Sequence, residues 1–106
     1  MKDPVHGPGL KYDEDKLRYD LIPARVLQWL ARILSFGAKK YSANNWQKIE
    51  VDRYYAAMMR HVEAWRLGEW LDKESGYPHL AHALCCVVFM LWLGEEEEIN
   101  NGDGTR

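Results

Sequence analysis

The sequence predicts an all-α fold: three main helices plus an extended N-terminal arm, with a core completed by oligomerisation. Three observations predict it. Apolar residues recur at helical spacing in three separate segments. Proline opens two of those segments, while lysine or glycine closes them. Five Trp and six Tyr in 106 residues are more aromatic surface than one small monomer hides, which favours assembly.

Residues 1–10 carry Pro4, Gly7, Pro8 and Gly9 and are expected to form a flexible arm. A single helical domain follows over residues 11–94, and residues 95–106 are expected to be an acidic, largely disordered tail. Between Lys11 and Ile22 the residues Leu17, Tyr19 and Leu21 alternate with Lys16, Arg18 and Asp20. Period two with no second strand in sight suggests an extended arm with one packed face.

Helix 1 should span Pro23 to Lys39, with Pro23 at the first helical position. Ile22, Val26, Trp29, Leu30 and Ile33 form its stripe, widened by Leu27 and Leu34. A polar loop, Tyr41–Glu50, centres on Asn44, Asn45 and Trp46. Helix 2 should begin at Asp52 as N-cap and stop at Leu67 and Gly68. The acidic connection Glu69–Tyr77 has room for one helical turn near Asp72–Ser75. Helix 3 should run from Pro78 to Leu93, apolar nearly all round and therefore packed on several sides.

Charge is unevenly spread. Residues 11–60 hold ten Lys and Arg against six Asp and Glu, whereas residues 61–106 hold three against nine. Such halves suit an anionic ligand held together with a cation, or simply attract each other. Cys85 and Cys86, adjacent in an apolar run, suit buried reduced thiols and a cytoplasmic setting. Leu80–Leu93 is shorter than the ~18–20 residues a bilayer span needs. A core helix is expected there, and no membrane partner.

Three constellations could carry chemistry. His79 and His82 lie one turn apart at the mouth of helix 3. An antiparallel hairpin would bring His61 of helix 2 to the same level. His with carboxylate ligands suits a divalent transition metal, and carboxylates alone suit magnesium. The same histidines could instead cap the helix or bond to carboxylates. Glu69, Asp72 and Glu74 form the second set. They could hold a metal or be a solvated acidic loop. The third is basic: Lys11, Lys16, Arg18, Lys39, Lys40 and Arg60 could clamp phosphates, while Asn45 and Trp46 could contact a base. Arg60, within the apolar part of helix 2, calls for a partner such as Asp13 or Asp20. No motif for reading polymeric nucleic acid is present.

Gly9-Leu-Lys-Tyr-Asp-Glu-Asp-Lys-Leu-Arg-Tyr-Asp-Leu-Ile-Pro23 resembles the opening motif of a small phage family. Phe36-Gly-Ala-Lys-Lys-Tyr41, Asn45-Trp46, Arg60-His61 and Gly76-Tyr-Pro-His-Leu-Ala-His-Ala83 match its later blocks in order. The family is the dATP/dGTP diphosphohydrolase, N-terminal domain, distantly like the all-α nucleoside triphosphate pyrophosphohydrolases. The resemblance implies a phage protein in the host cytoplasm that acts on purine deoxynucleotides. The distant relatives bind magnesium with Glu-x-x-Glu on one helix and Glu-x-x-Asp on the next. Here helix 2 offers His61 and Glu63, and helix 3 offers His79-x-x-His82.

The leading expectation is therefore a homo-oligomeric, metal-dependent phosphohydrolase that cleaves purine (deoxy)nucleoside triphosphates to monophosphate and pyrophosphate. His61, Glu69, His79 and His82 would be catalytic. Glu69, Asp72, Glu74, His79 and His82 would hold magnesium or manganese. Lys11, Lys16, Arg18, Lys39, Lys40, Asn45, Trp46 and Arg60 would bind the nucleotide. The alternative is a non-catalytic protein that sequesters a nucleotide signal of host immunity. A third reading is a structural subunit whose histidines are core hydrogen bonders.

Overall fold

The computed structural model describes residues 15–102. They form three helices, α1 (Ala24–Lys40), α2 (Val51–Arg66) and α3 (His79–Asn101). Two 3-10 turns, Tyr19–Leu21 and Asn45–Lys48, complete the helical content. Among the described residues there is no strand, only an isolated bridge between Leu71 and Pro78. The all-α expectation holds.

Helix α3 is the element on which α1 and α2 both pack. Ile33 of α1 meets Ala81 and Cys85 of α3, with Trp29, Leu30, Leu34, Tyr77 and Phe89 packed around them. Only the C-terminal half of the α1 stripe is used this way. Ile22, Val26 and Leu27 stay exposed.

Four expectations change. The Tyr19–Leu21 stretch is a 3-10 turn, closed by Leu21 N–H to Arg18 O (3.0 Å) and Ile22 N–H to Tyr19 O (3.1 Å). With no neighbouring strand its backbone bonds to itself, and Leu17, Tyr19 and Leu21 are all exposed. Glu50 stands at the N-cap position of α2 without a side-chain capping bond, so Asp52 falls in the first turn, where a carboxylate still suits the positive dipole end. Pro23 and Pro78 stand at the N-caps of α1 and α3 rather than inside them. Helix α3 continues past Leu93 to Asn101, since Glu95–Glu98 are good helix formers and Gly102 ends it with φ 78°.

By length and composition α3 could cross a bilayer. Its position as the shared packing partner of α1 and α2 makes it the core helix of a bundle. Cys85 and Cys86 are buried free thiols in it. Burial pushes Cys85 up to about 12 and raises Cys86 as well.

The connection between α2 and α3 folds back on itself. Gly68, at φ 103°, releases α2 in a conformation that side chains rarely adopt. Asp72 N–H then donates to Tyr77 O (2.8 Å), Gly76 N–H to Asp72 O (2.7 Å) and His79 N–H to Trp70 O (3.0 Å). The expected helical turn at Asp72–Ser75 is a single closed turn. It holds Glu69, Asp72 and Ser75 over the mouth of α3.

Candidate functional site

Antiparallel pairing of α2 and α3 brings His61 to His79 and His82. The His61 and His82 rings stack with centroids 4.7 Å apart and planes 10° apart, and His79 lies 5.1 Å from His61. His79 is buried, with 5% of its surface exposed. The expected histidine cluster is thus assembled at one end of the helix pair.

The hydrogen-bond network fixes the tautomers. Ser75 Oγ–H donates to Asp72 Oδ2 (2.9 Å), so His82 Nε2–H must donate to Ser75 Oγ (2.7 Å). Ser75 N–H also donates to Asp72 Oδ2 (2.9 Å), and Tyr77 N–H donates to Ser75 Oγ (3.1 Å). His79 Nε2–H donates to Glu69 Oε1 (2.6 Å). With its proton on Nε2, the His79 ring offers Nδ1 to accept from His61 Nδ1–H (2.8 Å). One chain of contacts therefore runs from Glu69 through His79 to His61, whose ring stacks on His82, and on through Ser75 to Asp72.

Electrostatics follow from this packing. Burial first, then the neighbouring His82 and His79, holds His61 below the ordinary histidine value. Burial also lowers His82, against the opposing pull of Asp72. Both rings are neutral at pH 7. The hydrogen bond from His79 holds Glu69 below the usual carboxylate range. Burial works against ionisation of Asp72, but the Ser75 N–H and hydroxyl outweigh it and its carboxyl stays low. The site thus combines neutral imidazoles with ionised carboxylates. Ligand atoms of His61, Asp72 and His79 all lie within 4.8 Å of one another.

The cluster opens into a cleft of about 940 Å3. The C-terminal half of α1 and the 41–49 segment form one wall, α2 forms the other, and Val88 and Phe89 of α3 lie at its base. His61 and His82 line it, as do Lys40, Arg60, Asn45, Trp46 and Glu74. Tyr54 ties the loop to α2, donating its hydroxyl to Trp46 O (2.9 Å). Trp46 stacks on Phe89 at 4.5 Å and meets Trp92 edge-on. One face of the expected base-stacking ring is therefore taken by the protein.

The remaining expected residues are engaged differently or lie outside the cleft. Glu74 is exposed and pairs with Lys40 at 3.5 Å. Glu69 faces the far nitrogen of His79, and Lys73 stands 3.6 Å from it. Lys39 and Lys16 are exposed and do not line the cleft. Arg18 forms a bidentate pair with Asp20 (2.8 and 2.7 Å), which leaves Asp20 committed away from Arg60. Arg60 itself is exposed in the cleft rather than buried, because α1 leans on α3 and leaves that face of α2 open. Asp13, the other partner expected for Arg60, lies outside the described residues, as does Lys11.

Two residues were missed by sequence reasoning. Arg53 lines the cleft with Ala57, Arg60 and His61. Spacing of i, i+4, i+7 and i+8 put all four on one helical face, and that signal was readable. Ser75, the bridge between His82 and Asp72, carries no such signal beyond its place three residues after an aspartate.

The chain matches the family described as dATP/dGTP diphosphohydrolase, N-terminal, over residues 6–102. A Salmonella phage PMBT28 protein named "dATP/dGTP diphosphohydrolase" is 36% identical over 85 residues, which cover 80% of this chain and 29% of that relative. The chain spans less than a third of that relative's length. No solved structure matches.

Proposed function

The chain belongs to the dATP/dGTP diphosphohydrolase, N-terminal family, and from that premise we propose that it hydrolyses purine deoxynucleoside triphosphates to monophosphate and pyrophosphate. The relative's name supports nucleotide hydrolysis at the level of the family. One observation carries the reading for this chain. Its large cleft sets Lys40, Arg53 and Arg60 beside His61 and His82, whose pKa values are held low and whose partners His79 and Ser75 link them to Glu69 and Asp72.

Lys40, Arg53 and Arg60 bind the phosphates, with the arginines offering paired donors to phosphate oxygens. Asn45 and the open part of Trp46 meet the base at the loop end. A divalent ion held by His61, His79 and Asp72 would supply positive charge for the phosphate oxygens and acidify water beside them. Glu69 keeps His79 in the Nε2–H tautomer, so that its Nδ1 faces His61. His82, neutral and lining the cleft, takes the proton of the attacking water. Stacking against His82 holds the His61 ring in place.

A homo-oligomer is part of this reading. Leu17, Leu21, Leu27, Tyr55, Leu91 and Ile99 are exposed in the single chain, which is apolar surface that a second copy would cover.

The test is a nucleotide panel incubated with magnesium, manganese or EDTA and read by product analysis. Pyrophosphate and a purine monophosphate are expected with metal and not with EDTA. Ligand recovered intact after heat denaturation would replace hydrolysis with sequestration. Neither binding nor turnover would leave the histidines a purely structural role.

A further inference from the structure

We infer that His61, His79 and Asp72 form a centre for a first-row transition ion such as manganese, cobalt or zinc, and not for magnesium. The inference deepens the function proposed above by naming the class of its metal. It is measured on the ion alone, so either can fail without the other.

The first argument is geometric. The two Nδ1 atoms stand 2.8 Å apart. Two nitrogens bound at ~2.1 Å on one ion lie ~3.0 Å apart at an octahedral angle and ~3.4 Å apart at a tetrahedral one. The rings therefore stand within roughly 0.2–0.6 Å of the separation an ion requires. A single hydrogen bond spans that gap; an ion would lie to one side of the N···N line, with His61 shifted to its Nε2–H tautomer so that both Nδ1 lone pairs are free. The carboxylate of Asp72 lies within the same 4.8 Å cluster. Ser75 uses only part of its accepting capacity, through two bonds to Oδ2.

Donor chemistry makes the second argument. Two imidazoles and one carboxylate suit manganese, cobalt or zinc, whereas magnesium asks for oxygens in a near-octahedral shell. The remaining acids do not supply those oxygens. Glu74 is exposed beside Lys40, and Glu69 is on the back of His79.

That position of Glu69 makes the third argument. A carboxylate on the far nitrogen of a ligating histidine orients the ring and raises its basicity. His79 is buried and held in this way from behind. Ser75 does the corresponding work for Asp72. Glu69 is thus a positioning residue for the ion.

The experiment is calorimetric titration of the EDTA-stripped full chain with zinc, cobalt, manganese and magnesium chlorides, without nucleotide. Cobalt is followed by its visible absorption as well. One transition ion per chain is expected, at least ~100-fold tighter than magnesium, with a nitrogen-ligated cobalt spectrum. His61→Ala should lose it by at least ~100-fold, and Glu69→Gln should keep one ion per chain but bind it ~10–100-fold more weakly. Thermal unfolding of each variant confirms folding. If His61→Ala does not fold, the cobalt spectrum and ion preference of the unaltered chain decide. Equal or tighter magnesium binding, no ion bound, or unchanged affinity in folded His61→Ala would overturn the inference. Turnover without transition-ion binding would sink this inference alone. Ion binding without turnover would sink the hydrolase reading alone.

Discussion

The two ends of the α2–α3 pair are built from the same two helices and differ in how their polar groups are satisfied. At the histidine end, His61, Glu69, Asp72, Ser75, His79 and His82 are linked by hydrogen bonds and ring stacking. At the other end, Val51, Asp52 and Tyr55 face Val87, Met90, Leu91, Gly94, Glu95 and Glu98 across an open apolar groove. Both carboxylate oxygens of Glu98 are buried there without a hydrogen-bond partner among the described residues. Leaving such a group unpaired is costly. The contrast teaches that the chain satisfies the polar groups of one end by itself and leaves those of the other open, which is the end the proposed assembly would cover.

Breaking the finished end should have the largest effect. His79→Ala removes the ring between Glu69 and His61 and leaves a buried gap. Turnover should fall by at least ~1,000-fold, and stability by about 2 kcal/mol from the lost bonds and the group left unpaired. Product analysis and thermal unfolding measure the two. Retained turnover in a folded His79→Ala protein would remove the histidine end from the chemistry.

The cleft above that end comes next. Arg53→Ala and Arg60→Ala should each raise KM for a nucleoside triphosphate ~10–100-fold, since a charge-assisted bond contributes about 1.5–3 kcal/mol. Lys39→Ala, outside the cleft, should change KM less than ~2-fold. Equal effects of Arg53→Ala and Lys39→Ala would mean that phosphates bind elsewhere.

A third measurement separates the two ends directly. Leu91→Glu puts a charge in the open groove, where Leu91 is 64% exposed. Hiding a leucine contributes about 1.5–3 kcal/mol, so dissociation of the assembly should strengthen by roughly 10-fold or more. Analytical ultracentrifugation reads this, and metal binding at the histidine end should not move. A monomeric unaltered chain would show that the groove is not covered by a second copy.

How far the sequence could be read differs between these ends for physical reasons. Helix spacing and an antiparallel hairpin were enough to bring His61 to His79 and His82, because backbone geometry alone decides which turns of two paired helices are level. The roles within the cluster were not readable. Glu69 and Glu74 look alike in the chain, yet one backs His79 and the other pairs with Lys40. Only the fold of the 67–78 connection separates them. Arg60 was expected to be buried because its neighbours are apolar, but burial depends on where α1 leans. The α3 extension to Asn101 was missed because a run of glutamates reads as solvated, while the helix carries Glu98 into a buried position.

The smallest effect tests the histidine end through pH. His61 and His82 have values lowered in the folded chain from an ordinary 6.5. The unfolded chain therefore binds more protons than the folded one in the interval below pH 6.5, and stability must fall as pH falls. That contribution is fully present above pH 6.5 and is lost as pH drops through the lowered folded values. Glu69 and Asp72 act with the same sign in a lower window, since their folded values lie below 4.5 and 3.8. In EDTA the unfolding temperature should be level from pH 8 to 7 and decline in two stages on acidification. His61→Gln should flatten the upper stage and leave the lower one. Burial is the main cause of this sign at His61; His82, His79 and Arg60 add to it by opposing its charge, and Asp72 favours the charge. A melting temperature that rises between pH 6.5 and 5 would mean that the cluster welcomes a proton, and the neutral imidazoles required for the metal centre would be lost with it.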